Sequence, residues 1–475
     1  MLGTFLAVLL GGVPPVMADD LDEVERRGRE LIRQLEAELE AVKAERHKLT
    51  EERRQLEAER EKLKATAPAA AAADAAPSAT ETDRRIDILA SEVEQLKTNI
   101  AIPPASEYKS KYGLGPAASK VYSVARGLSL GGYGELTYGN PVTDTKGTTD
   151  RADAQRFVLY TGYKFSDRII LNTELEFEHA TTSSTVSSSG GSVSVEFAYL
   201  DFLGRDWINA RAGLVLVPLG FINEVHEPVF FNGVNRPEVE RVIIPTTWRE
   251  LGAGIFGEAG DFEYRAYALT SLNAEGFSSS GIRGGRQSGN RALVESNAGT
   301  ARVDYTPEWA PGVLAGASIF AGGTTQDLEE FGNANGFLTL WDTHVQYEMY
   351  GLELRGLAAF GYLDDAKSIS QAVDSTVANQ FQGYYGEVAY DVMPLVLPDL
   401  ERQYLAPFFR FEHFDTQQHV PAGFVANRFQ DTDLYTLGIT YKPHPQVVLK
   451  FDYRNFEVAS GDRPDDVNLG LGFVF

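Results

Sequence analysis

The sequence predicts an all-β transmembrane barrel of sixteen antiparallel strands, preceded by an α-helical coiled coil. Three observations carry that prediction. From about residue 125, apolar residues alternate with a period of two through sixteen segments. The connections between those segments alternate between tight turns and long polar stretches. Before residue 103 the apolar spacing is that of a heptad.

The chain begins "MLGTFLAVLLGGVPPVMA", with an apolar run from Leu2 to Val13 and small residues ahead of Asp19. That is the pattern of an export signal over 1–18. The run is too short to cross a bilayer as a helix, which takes ~20 apolar residues. The chain has no cysteine. Disulfides, a cysteine-linked lipid anchor, a zinc ribbon and a thiol nucleophile are therefore excluded.

Residues 19–66 suit a helix. Leu35, Val42, Leu49, Leu56 and Leu63 recur every seven residues, with Ile32 and Leu39 three residues before the first two. Arg46, Arg53 and Arg60 occupy the later matching positions, so half of the seam is polar. "APAAAAADAAPSATET" (67–82) reads as a linker. A cleaner seam follows over 83–102, on Ile86, Leu89, Val93, Leu96 and Ile100. Two heptads are short for independent stability, so this trimerising seam needs other contacts to bring chains together. Pro103 and Pro104 end it, and 103–124 is a connector to the barrel at 125–475.

The predicted strands lie near 126–138, 152–165, 167–179, 191–203, 207–217, 248–257, 260–270, 297–306, 311–322, 337–347, 349–361, 380–392, 403–415, 431–442, 446–456 and 466–475. In "RIILNTELEFEHA", Leu171, Thr173, Leu175 and Phe177 share one face, and Asn172, Glu174, Glu176 and Glu178 the other. Phe409 and Phe411 oppose Arg410 and Glu412, and Leu449, Phe451 and Tyr453 oppose Lys450, Asp452 and Arg454. A soluble sandwich alternates too, with its apolar face inward. The export signal, the aromatic load and the turn–loop asymmetry favour a barrel in the outer membrane of a Gram-negative bacterium. An even strand count puts both barrel ends, and the coiled coil, on the periplasmic side. The chain closes on "NLGLGFVF", so the last strand pairs with the first. Phe473 and Phe475 are the expected signal for the outer-membrane assembly machinery.

One connection is anomalous. The third long loop, 218–247, is rich in proline and far more apolar than a solvated loop, with Phe221, Ile222, Val229, Phe230, Phe231, Val234, Ile243 and Ile244. It is expected to fold into the barrel and narrow the pore. Glu224, His226, Glu227, Arg236, Arg241 and Arg249 are the candidate constriction residues. Arg156, Glu174, Glu176, Glu178, Arg410, Lys450 and Arg454 are candidates for the lumen wall. "LSLGGYGELTYG", "VEFAYLDF" and "RAGLVLVPLGFINEVHEPVFFNGVNRPEVERVIIPTTWRELGAG" resemble the phosphate-selective porin O and P family. The resemblance is best over 126–257. It implies a sixteen-stranded, trimeric, passive channel with the third loop inserted.

Charge argues separately about selectivity. Residues 125–475 hold 45 acidic against 25 basic residues, a net of −20. No run of alternating Lys or Arg lines a strand. The expectation is a porin for small hydrophilic solutes or ions with a mild cation preference, phosphate or other anions being what the resemblance alone suggests. The alternative is a structural tether or spacer between the outer membrane and the cell wall, with the barrel as anchor. The expected partners are membrane lipid and lipopolysaccharide, the chain itself as a homotrimer, the assembly machinery and small solutes. Nucleic acid, cofactor, metal and enzymatic activity are not expected: none of the seven histidines has a convincing serine partner in sequence.

Overall fold

The computed structural model describes residues 110–142, 148–183, 190–397 and 403–475. The export signal, both heptad seams and the linker lie outside the described residues. Among the described residues, no helix is long and apolar enough to cross a membrane.

The strands are β1 (Gly127–Pro141), β2 (Arg151–Ser166), β3 (Ile169–Glu178), β4 (Val193–Arg205), β5 (Ile208–Leu216), β6 (Arg249–Ala259), β7 (Phe262–Thr270), β8 (Asn297–Tyr305), β9 (Val313–Gly322), β10 (Leu338–Met349), β11 (Leu352–Leu363), β12 (Gln380–Tyr390), β13 (Tyr404–His419), β14 (Asp431–His444), β15 (Val447–Val458) and β16 (Asp466–Val474). Each pairs antiparallel with its sequence neighbours, and β1 pairs with β16 to close the barrel. Closure removes the free edges that an open sheet of this size would leave.

Alternation along each strand sets the two faces. On β3, Ile170, Asn172, Glu174 and Glu176 are buried toward the lumen, while Ile169 and Phe177 are exposed. The outer wall displays Leu128, Leu130, Phe157, Phe202, Trp341, Leu354, Phe409, Leu437, Phe451 and Leu469, all exposed. An exposed apolar band this extensive marks a surface meant for a non-aqueous partner. Two-residue turns join β2–β3, β4–β5, β6–β7, β10–β11 and β14–β15 at one end. The other end carries the longer connections, the longest running over 217–248 and 271–296.

The seam explains the chain's last residues. Tyr133 registers with Val474 and Gly134 with Phe473. Beyond β16, Phe475 exchanges two backbone hydrogen bonds with Gly132, at 2.9 and 3.0 Å. Phe473 and Phe475 lie on the outer face, and their rings cover Gly134 and Gly132. The Phe475 ring also stacks on Phe157, with centroids 6.2 Å apart.

Candidate functional site: the lumen and its two inserts

The connection from β5 to β6, called L3 below, does not behave as a loop. Pro218, Pro228, Pro237 and Pro245 deny it donors for strand pairing. Its apolar residues need cover, and the lumen supplies it. Across 217–248 only Arg241 is exposed. Its neck is stapled shut: Val217 N donates to Trp248 O at 3.0 Å. Asn223 donates to Val217 O at 2.6 Å and Trp248 O at 2.9 Å, and accepts from Trp248 N at 2.7 Å.

From there L3 is pinned to the wall all the way across. At its start, Asp342 on β10 accepts from Gly220 N at 3.2 Å, and Arg302 on β8 donates to Gly220 O. Arg355 on β11 donates to Phe230 O at 3.2 Å. Arg410 on β13 reaches Asn232 O at 3.1 Å and Asn235 O at 3.3 Å, while pairing with Glu387 and Glu412 at 2.9 Å each. Asp452 on β15 accepts from Val234 N at 2.6 Å. A short helix, α2 (Glu238–Val242), brings Val239 N to Glu412 at 3.1 Å and Glu240 to the Tyr385 hydroxyl at 2.7 Å. Each bond satisfies a buried group that would otherwise cost 1–3 kcal/mol or more. The connection 271–296 also holds this segment, with Arg286 donating to Pro245, Thr246 and Thr247 carbonyls at 3.3, 3.1 and 2.9 Å.

The six constriction candidates thus have specific partners. Glu224 is buried beside Arg265, at 3.2 Å. His226 sits 3.1 Å from Glu174 and 3.2 Å from Asn223 O. Burial, aided by the Arg236 charge, holds the His226 imidazole down to about 3. It is therefore neutral, and its contact with Glu174 is a hydrogen bond and not an ion pair. Glu227 turns toward the second insert, described next. Arg236 donates to His226 O at 3.3 Å. Arg241 pairs with Glu238 at 2.5 Å. Arg249, the first residue of β6, pairs with Glu196 at 2.6 Å.

On the wall, Arg156 bridges Glu135 at 2.8 Å and Glu176 at 3.4 Å. Glu178 accepts from Ser192 at 2.9 Å near the long-loop end. Arg454 spans Glu238 and Asp466, at 3.2 and 2.5 Å. The Lys450 ammonium lies 3.5 Å above the Phe231 ring. Sequence reasoning missed Glu196, Asp201, Arg211, Arg265, Arg302, Asp304, His344 and Glu387, each lumen-facing. Their signal was the inward parity of their strands.

The second insert comes from the stretch read as connector. Residues 116–123 form a helix, α1 (Pro116–Ser123), seated in the lumen against β1, β2 and β3. Pro116 suits its first turn, where no donor is needed. Leu114, Ala117, Ala118, Val121 and Tyr122 are all buried. The wall has glycine where the helix lies. A Cβ at Gly131 would stand 2.8 Å from Ala117 O, and one at Gly162 would stand 2.5 Å from Val121 Cγ2. Asn172 donates to Ala118 O at 3.0 Å, and the Tyr122 hydroxyl donates to Asp201 at 2.6 Å. Glu227 of L3 faces the Ala117 and Ala118 amides at the helix N-terminus. Those amides have no partner within the helix.

A cavity of about 420 Å³ remains between the approach to α1 and the underside of L3. Phe221, Phe230 and Phe231 form its apolar side, and Glu258, Glu263, Glu348 and Glu353 its acidic side. Glu258 registers directly with Glu263, and Glu348 with Glu353.

One charged cluster brings a serine, a histidine and two carboxylates together. Ser318 and His344 Nδ1 both contact Asp342, while His344 Nε2 faces Asp304 at 2.9 Å. The serine touches the carboxylate and not the imidazole, so these residues do not form a serine–imidazole–carboxylate relay. Among the described residues, no group of three or more His, Asp or Glu could hold a metal ion.

No protein-family model matches the chain. Among solved structures, the barrel is similar to Salmonella typhi OmpF in complex with daunomycin, with a TM-score of 0.51 at 13% identity, covering 74% of this chain and 98% of that one. It is also similar to the outer-membrane channel DcaP of Acinetobacter baumannii, with a TM-score of 0.45 at 14% identity, covering 73% and 97%. Identity this low speaks for the fold alone, and of the two only the OmpF likeness carries that argument. Sequence similarity goes further: at 38% identity over 373 residues, 76% of this chain and 82% of its relative, the chain belongs to one family with an uncharacterized protein of Aquifex aeolicus (strain VF5).

Proposed function

We propose that this protein is an outer-membrane channel for passive diffusion of small hydrophilic solutes or ions, with a mild preference for cations. The observation that carries the reading is the closed sixteen-strand barrel with an apolar outer wall and a charged interior. Only closed barrels and helices satisfy their backbone groups in a bilayer. A charged, hydrated interior in such a barrel serves passage of polar solutes. The short-turn end faces the periplasm in this reading, with the heptad seams of 19–66 and 83–102 there.

Selectivity follows from which charges are left over. The phosphate-selective resemblance would ask for a free ladder of cations. Arg156, Arg249, Arg265, Arg302, Arg410 and Arg454 are instead each paired with carboxylates. Paired arginines offer an anion little field, and the cavity keeps a small acidic excess, with Glu224, Glu258, Glu263, Asp304, Glu348 and Glu353 facing Lys111, Arg265, Arg302, Arg355 and Lys442. Reversal potentials in a potassium chloride gradient should favour potassium, and millimolar phosphate should not block the current. Strong anion selectivity with phosphate block would overturn this and restore the phosphate reading.

Assembly is a second part of the proposal. Barrel contacts in the membrane raise the local concentration of the 83–102 seam, so a short heptad can zip three chains together. Native mass of detergent-solubilised protein should give a trimer, and a monomer at high concentration would refute it. Deleting 21–100 should leave single-channel conductance nearly unchanged. A channel abolished by that deletion, in correctly inserted protein, would contradict the coiled coil's being dispensable for the pore.

A further inference from the structure

We propose that residues 110–124 are a removable plug: the segment occupies the lumen along β1–β7 and can leave it as a unit, with Glu227 of L3 as its latch. The inference rests on the channel reading above.

The seat is built for the helix. Gly131 and Gly162 point inward where any side chain would collide with α1. Gly115 leaves room for the Glu227 carboxylate against the helix N-terminus. Yet α1 adds no rung to any strand ladder, and the barrel closes without it. Its removal breaks no hydrogen bond between strands.

The wall is also satisfied when the helix is gone. Arg211 and Asp201 pair with each other at 2.8 and 3.0 Å, and Tyr122 only adds to that pair. Asn172 loses one bond to Ala118 O and regains it from water. Glu227 holds the helix by charge and proximity: both its oxygens are buried and neither makes a hydrogen bond of full geometry. Ionised or hydrated, that carboxylate is better served in an emptied lumen. An eight-residue helix has no stability of its own to keep it in place, so its hold rests on the few bonds above and on apolar packing against Tyr133, Val158, Ile170 and Tyr199.

The chain's lack of cysteine makes the test clean. Ala118→Cys with Asn172→Cys puts two thiols on residues already in contact across the seat, without filling the space of a wall glycine. In planar bilayers the reduced double variant should show sojourns at a higher conductance level that vanish on oxidation and return on reduction. Deleting 110–124 should fix the higher level, with a conductance about twofold or more above the intact chain, because pore cross-section sets the current. Identical traces in both redox states, together with unchanged conductance after deletion, would overturn the plug. Should the deletion fail to fold, the redox comparison decides alone, within one folded protein. A protein that conducts in neither form refutes the channel reading instead.

Discussion

The lumen holds two inserts fastened in opposite ways. L3 is tied to β3, β7 and β8 on one side and to β10, β11, β12, β13 and β15 on the other, by side chains that are themselves buried. Helix α1 is tied along one arc of wall and to a single carboxylate of L3. Releasing L3 would orphan buried charges on many strands at once. Releasing α1 orphans almost none, because its wall partners pair among themselves. What distinguishes a fixed part from a movable one here is whether its partners survive its departure, and not how deeply it is buried.

The comparison breaks most readily at Arg410. It is buried and holds two carboxylates and two L3 carbonyls together. Arg410→Ala leaves Glu387 and Glu412 without their cation, a loss of ~3–5 kcal/mol by the rule for breaking a buried pair. Thermal unfolding in detergent should show a marked drop in melting temperature. A drop no larger than that of a surface substitution would mean L3 is not the fixed insert.

A smaller effect is expected at Gly162→Val. Its new side chain meets Val121 of α1. Overpacking costs ~1–3 kcal/mol, and the cost should fall on the docking of α1. Trypsin should then cut faster at Lys120, while the barrel's melting temperature stays near that of the parent. If melting falls as far as with Arg410→Ala, α1 is structural and the contrast fails.

These pairings show where sequence reading reached and where it stopped. Strand positions were legible because a sheet imposes a period of two on side chains, whatever the fold around it. L3 was legible as an anomaly, since prolines and a run of apolar residues cannot sit in a solvated loop. Which charges would meet was not legible. Asn232 and Arg410 are far apart in sequence and become neighbours only because L3 crosses the lumen. Helix α1 was missed for a related reason. "GPAASKVYS" is too short for a periodic signal, and the glycines that receive it, Gly131 and Gly162, lie on other strands. Gly131 belongs to the "GGYGEL" stretch of β1, where nothing local in the sequence marks it as a seat. Yet Gly131 makes room for a helix.

A still smaller effect sharpens the contrast at Tyr122. Tyr122→Phe removes one hydroxyl that donates to Asp201 and accepts from Arg211 at 3.3 Å. The Arg211–Asp201 pair remains, so the loss should be ~1 kcal/mol. In channel recordings this variant should lengthen the higher-conductance sojourns without changing their level. A changed level would place Tyr122 in the path of the solute and not in the latch.

The smallest effect expected is a dependence on pH at Glu227. Burial, and then the neighbouring Glu174 charge, push its carboxyl up to about 8, against the opposing pull of the Ala117 and Ala118 amides. The same carboxyl in an unfolded chain titrates near ~4.3. A raised value means the packed state favours the protonated form. The stability it contributes is complete below the unfolded value and is lost as pH rises through about 8. Of the groups around it, His226 stays neutral across that range. The latch should therefore be partly weakened at pH 6.5 and weaker still at pH 9. Glu227→Gln mimics the protonated form at every pH and supplies the reference. Trypsin cleavage at Lys120, expressed as parent over variant to cancel the protease's own pH profile, should already exceed unity at pH 6.5 and rise further by pH 9. A ratio that stays flat between the two would show that Glu227 is neutral throughout or has no hold on α1, and the docking would then rest on Asn172, Tyr122 and apolar packing.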